Sequence, residues 1–190
     1  MKKIIVLLMV AMAALTSAQA AGGNVDKEVV AGMNVSSLNG DGFSSRIGFH
    51  AGLRITVGAP RVTEGLYVNG AALLSLRGAS AEGLTFNPFY LDIPVHLGYK
   101  YAFSDDVAVF GECGPFVAIG LFGKTEGMSV FSDANGLKRF EAGLGVRAGV
   151  ELNRRYVISM GYDGGLTDVI KDSDVNTKDH NFYISLGYKF

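Results

Sequence analysis

Three histidines, His50, His96 and His180, have the widest chemical range in this chain. Beside a serine and a carboxylate, a histidine can run acyl transfer, the chemistry of a lipase or deacylase. The spacing does not assemble that set. His96 and Asp92 share a face, but four strand residues span roughly 13 Å, too far for a base and its orienter. His50 and His96 read instead as polar members of an enclosed face, and His180 as a loop residue. Asp172-Ser173-Asp174-Val175-Asn176 resembles the opening of a calcium loop, yet no Gly follows and Tyr183 stands where a bidentate Glu belongs. It reads as a solvated acidic loop. No Gly cluster opens a helix to cradle phosphate. Cys113 is the sole cysteine, so there is no internal disulfide, and it reads as a small apolar filler. The expectation is no catalytic residue, no cofactor and no metal ligand.

The remaining chemistry is charge, and its placement follows from the elements that carry it. Eight segments alternate apolar and polar residues at the period of a β-strand: about 27–38, 45–58, 65–79, 88–103, 106–122, 139–152, 155–167 and 182–190. In the second, Ile47, Phe49, Ala51, Leu53, Ile55 and Val57 oppose Arg46, Gly48, His50, Gly52, Arg54 and Thr56. In the sixth, Phe140, Ala142, Leu144, Val146, Ala148 and Val150 oppose Glu141, Gly143, Gly145, Arg147, Gly149 and Glu151. The fifth is ambiguous, because Phe110 and Phe116 share a parity with Glu112 while Val107, Val109, Cys113, Val117 and Ile119 share the other. A carboxylate facing lipid is worse than two Phe facing inward, so Glu112 sets the phase. Pro94 and Pro115 lie close across one hairpin, and proline cannot donate to a ladder. They predict a bulge or a ladder gap there.

The polar face carries Arg46, Arg54, Arg77, Lys100, Arg147 and Lys189 against Asp92, Glu112, Glu141, Glu151 and Asp163. Near balance suits an enclosed network in which each charge needs a partner. The same face is rich in Gly, as an eight-stranded interior requires if its side chains are to interlock. The apolar face must then point outward, into lipid. Aromatics sort accordingly: Phe89, Phe140, Tyr162 and Phe182 fall at one set of strand ends, Tyr101, Phe103, Tyr156, Tyr188 and Phe190 at the other. Two rims of outward aromatics are the girdles of a membrane barrel. Connections 59–64, 104–105 and 153–154 are short, while most of 39–44, 80–87, 123–138 and 168–180 are longer and polar. Short periplasmic turns and longer external loops follow that pattern.

Both ends of the chain agree. Lys2 and Lys3 precede an apolar run from Ile4 to Leu15, and Ala18-Gln19-Ala20 offers a cleavage site. Residues 1–20 read as a secretory signal, the run being too short for a retained span of roughly 20 residues. Residues 21–190 form one domain. Cleavage removes two lysines and takes the formal charge of −1 down to −3, against a nucleic-acid partner. The final strand runs to the last residue and stops on Phe190, the terminal aromatic that a barrel-insertion machinery reads.

The chain resembles the small outer-membrane β-barrel family often labelled "porin family". The matching stretches are Val30-Ala31-Gly32-Met33-Asn34-Val35-Ser36, Gly48-Phe49-His50-Ala51-Gly52, Tyr90-Leu91-Asp92-Ile93-Pro94, Gly114-Pro115-Phe116, Gly143-Leu144-Gly145 and Leu186-Gly187-Tyr188-Lys189-Phe190. Leu76-Arg77-Gly78 departs from it, where the resemblance leads to a Tyr and then Lys-Gly. The resemblance implies an outer-membrane location; it does not imply a catalytic site. The expected protein is all-β: a monomeric, eight-stranded, antiparallel up-and-down transmembrane barrel in outer-membrane lipid. Its role is structural or recognitive through the external loops, with a narrow pore as the alternative and a lipid-modifying enzyme behind it.

Overall fold

The computed structural model describes residues 24–38, 43–59, 62–77, 79–81, 84–86, 88–125, 128–129, 138–167 and 178–190. Eight long strands form the fold: β1 (Val25–Leu38), β2 (Phe43–Gly58), β3 (Leu66–Leu76), β6 (Phe89–Ala102), β7 (Val107–Phe122), β10 (Phe140–Leu152), β11 (Tyr156–Gly165) and β12 (Asp179–Lys189). Each pairs antiparallel with its neighbours in the chain, and β1 pairs with both β2 and β12, which closes the barrel. Closure removes the free edges of these eight strands, the requirement for backbone in lipid. The residues described contain no helix.

The register fixes the shape. A circuit of aligned partners runs Val25, Val57, Val68, Leu97, Cys113, Val146, Tyr162 and Phe182. It returns to β1 at Val35, ten residues above its start. A stagger of ten around eight strands sets a tilt of about 40° to the barrel axis.

Alternation along each strand sends apolar side chains outward and polar ones inward. Ile47, Phe49, Leu53, Leu144, Ile184 and Leu186 are exposed, while their neighbours Arg54, His50, Ser185 and Tyr183 are buried. A water-facing wall of this kind would aggregate; in lipid it is the solvated surface. In β7, Glu112, Phe110 and Phe116 are buried and Cys113 is exposed, so the carboxylate decides the phase.

Several expected boundaries shift. The third strand ends at Leu76 rather than near residue 79, and Arg77 follows it with its side chain buried and its N–H still donating to Pro88 O at 3.1 Å. Two short hairpins extend the loop end: β4 (Ala79–Ala81) with β5 (Leu84–Phe86), and β8 (Lys124–Thr125) with β9 (Met128–Ser129). Asp179 and His180, expected in a loop, open β12. The loop sequence 172–176 lies outside the described residues. Around the prolines the outcome is a gap without a bulge. Pro94 aligns with Phe116 and Leu97 with Cys113 in one register, with no paired residues between them. The register shift on that seam is at Phe89/Tyr90 instead.

Candidate functional site: the barrel lumen

Inward glycines make room for every large inward ring. Tyr67 aligns with Gly98, Tyr90 with Gly120, Phe110 with Gly149, Phe116 with Gly143 and Tyr183 with Gly161. A Cβ added at Gly98 or Gly161 would sit on the facing tyrosine ring. Two buried arginines lie over these rings, Arg147 at 4.7 Å from the centroid of Phe110 and Arg77 at 5.6 Å from that of Phe116. The lumen is thus filled in the sequence glycine, ring, guanidinium, carboxylate.

The charged residues collect into three tiers. At the end bearing the longer loops, Arg77 contacts Asp92 at 3.0 Å, Glu141 at 3.4 Å, Asp163 at 3.9 Å and Asp179 at 2.9 Å. Asp179 falls in the expected loop 168–180, yet the alternation of Tyr183 and Ser185, extended back through Asn181, puts it inward. In the middle tier Glu112 is completely buried and is the shared acceptor. Arg147 Nε donates to it at 2.7 Å, Asn69 Nδ2 at 2.6 Å and Tyr67 Oη at 2.9 Å. His96 Nδ1 lies 3.2 Å away and Arg54 Nη1 3.9 Å. At the short-turn end Lys189 Nζ donates to Glu151 at 2.6 Å and to Asp26 at 3.1 Å, and Lys100 meets Glu151 at 3.3 Å. Arg46 is half-buried and forms no ion pair with the described residues.

One contact of chemical interest is not legible in the sequence. His50 Nε2 lies 2.8 Å from Ser185 Oγ. The two come from β2 and β12 and meet across Gly32 of β1, which aligns with both. Only a residue without a side chain leaves that space, since a Cβ at Gly32 would press on the His50 ring. His50 is 4% exposed and Ser185 2%, so this serine–histidine pair lies walled inside the barrel.

On the outer wall Tyr101, Phe103, Tyr156, Tyr162, Phe182, Tyr188 and Phe190 are exposed, and Phe89 and Phe140 are half-buried. Tyr101 packs edge-on to Phe103 and Tyr156 to Tyr188 at the short-turn end. At the other end Phe89 lies between Phe49 and Phe122, and Tyr162 bonds to His180.

A cavity of about 470 Å³ opens at the short-turn end. Tyr67, Phe110, Val157 and Arg147 line it, the first three as a buried apolar cluster. Among the described residues no group of three or more His, Cys, Asp or Glu could hold a metal ion.

The family model for the outer membrane protein beta-barrel domain matches residues 4–190. A search of curated proteins finds no match. Among solved structures, Neisserial surface protein A is similar at 13% identity over 88% of this chain and 99% of its own, with a TM-score of 0.57. The attachment invasion locus protein Ail of Yersinia pestis is similar at 19% identity over 87% and 98%, TM-score 0.46. OprG of Pseudomonas aeruginosa is similar at 15% over 88% and 97%, TM-score 0.49. The family match, the closed strand circuit and the apolar outer wall place the protein in the outer membrane of a Gram-negative envelope, and the chain belongs to the outer membrane protein beta-barrel domain family.

Proposed function

We propose that this barrel is a closed scaffold that works through the surface it presents outside the cell, in a structural or recognitive role. The observation that carries the reading is the middle tier. Glu112, Arg147, Arg54, His96, Tyr67 and Phe110 are all buried where a conducting barrel needs water. An eight-stranded lumen is just wide enough for side chains to fill it, and these fill it with rings and with Arg147, Arg54 and His96 gathered around Glu112. Loops on a rigid scaffold commonly carry recognition, and 123–138 is the longest external connection that the sequence predicts.

In this reading residues 1–20 are removed on export, and the mature barrel is a monomer in lipid, inserted through the β12 strand that ends on Phe190. The eleven charged residues named from the sequence serve as internal bracing, and the two aromatic rims hold the barrel at the headgroup level. His50 and Ser185 also act as bracing, because a nucleophile needs access to substrate.

Cells carrying the protein with residues 123–138 replaced by a short turn test the reading. Surface attachment or ligand capture conferred by the intact chain is lost, while the trimmed barrel keeps its heat-modifiable gel mobility. Attachment that survives trimming of each external loop in turn overturns the recognitive role.

A further inference from the structure

The loop-end tier differs from the other two in its charge count: four carboxylates surround the single guanidinium of Arg77. Glu141 Oε2 and Asp179 Oδ2 converge on its Nη1, at 3.4 and 2.9 Å. Asp92 Oδ1 and Asp163 Oδ2 converge on its Nη2, at 3.0 and 3.9 Å. Two carboxylates therefore compete for each nitrogen, and the most exposed of the four side chains, that of Asp163, is only 12% exposed. Glu141 Oε1 and Asp163 Oδ1 have no hydrogen-bond partner among the described residues. Glu141 Oε1 and the Asp179 backbone crowd the same point, where a Cβ on Gly165 would stand. His96, buried on β6, has an Nε2 equally without a partner among the described residues, and it shares the space over Gly145 with Asp163 Oδ1. Like charges this close and this buried do not all ionise. An O–H on one acid converts a repelling pair into a hydrogen bond.

We propose that the loop-end tier binds protons in the folded barrel and acts as an acid-closed clamp on its outer mouth. The proton comes from water at that mouth, stays as an O–H on one carboxyl of a pair and is donated to the carboxylate beside it. The tier stands at the outer aromatic rim, with Glu141 next to Phe140 and Asp179 outside Phe182. Its members come from β6, β10, β11, β12 and the residue after β3, so it ties together strands from which the external connections spring. In alkali the proton leaves, and four anions around one guanidinium push those strand ends apart. The other ionisable groups on the inward faces at this end are Tyr90 and His96 on β6, Tyr183 on β12, and Arg46 and His50 on β2. There β1 presents Asn34 and Ser36, and β7 presents Phe116 and Ala118, none of which ionises. The clamp is independent of what the external loops bind.

Carboxyl-carbon resonances of the barrel, isotope-labelled at Asp and Glu and refolded in zwitterionic micelles, report the proton directly. At neutral pH at least one carboxyl among Asp92, Glu141, Asp163 and Asp179 is expected in its acid form, losing its proton only as the pH rises. The folded state then holds a proton that the unfolded chain has lost, so stability rises as the pH falls. The unfolding constant changes by about tenfold per pH unit for each proton so held. Glu141→Gln keeps the shape and removes one charge, so it raises the urea midpoint in alkali and flattens the pH dependence. Asp105→Asn, in an exposed turn, changes neither. An ordinary ion pair to Arg77 gives the opposite sign, a lower alkaline midpoint in Glu141→Gln, and that result overturns the proposal. So does a spectrum in which all four carboxyls are ionised at neutral pH. Should Glu141→Gln fail to fold, the carboxyl titration of the unaltered barrel decides.

Discussion

Replacing Glu112 by Gln should be the most damaging isosteric change in the lumen. The carboxylate accepts from Arg147 Nε at 2.7 Å, Asn69 at 2.6 Å and Tyr67 at 2.9 Å, and has no exposed surface. An amide of the same shape keeps one acceptor oxygen and turns two N–H donors toward groups that donate. It also leaves Arg147 and Arg54 facing each other without their shared counter-ion. Breaking a buried pair by removing one partner costs about 3–5 kcal/mol, and hydrogen bonds to a charged group about 1.5–3 kcal/mol each. These figures overlap in what they count, so about 4 kcal/mol is expected for Glu112→Gln. Urea unfolding in lipid vesicles, read by gel mobility and tryptophan-free fluorescence of the tyrosines, measures it as a lower midpoint at unchanged slope. The double variant Glu112→Gln with Arg147→Met removes the stranded cation too, so it should recover part of the loss, and the cycle isolates the pair. A cost below about 1 kcal/mol, the scale of a solvent-screened ion pair, would mean that water reaches Glu112 and that the lumen is not sealed.

Three further outcomes follow from single contacts. Gly98→Ala puts a methyl group into the Tyr67 ring and should cost about 1–3 kcal/mol, whereas Gly111→Ala meets nothing within 4 Å and should change stability by less than about 0.5 kcal/mol; equal effects in the same unfolding assay would refute the packing of rings over glycines. In the turn after β10, Asn153 and Arg154 have φ of 51° and 56°. Arg154→Gly should stabilise by about 1 kcal/mol, the exposed pair with Asp105 adding little against it; a lower midpoint would contradict this. Cys113 faces lipid, so a membrane-soluble maleimide should modify it in the folded barrel while a charged thiosulfonate should not, and rapid modification by the charged reagent would reverse the phase of β7.

The faces of the strands were legible because period-two alternation is local. Ile184, Leu186 and Phe190 against Ser185 and Lys189 fix which side of β12 meets lipid, and Glu112 alone settles β7. Height was not legible. Which inward residue meets which depends on the stagger of ten residues around the barrel, a property of the whole circuit. Hence Arg77 and Asp179, far apart in the chain, meet at 2.9 Å, and His50 finds Ser185 across a glycine of the strand between them. Strand ends also differ where side-chain burial continues past the strand, as at Arg77. The prolines were readable as interruptions but not as to kind, because a gap and a bulge differ only in whether the register on the far side has moved.

Current through single barrels in a planar bilayer tests the sealed lumen most directly. A sealed lumen gives a folded barrel, verified by gel mobility, that passes no steady current, with openings appearing or growing in Glu112→Gln, where the middle tier loses its shared acceptor. Steady, ion-selective current through the unaltered protein would contradict it.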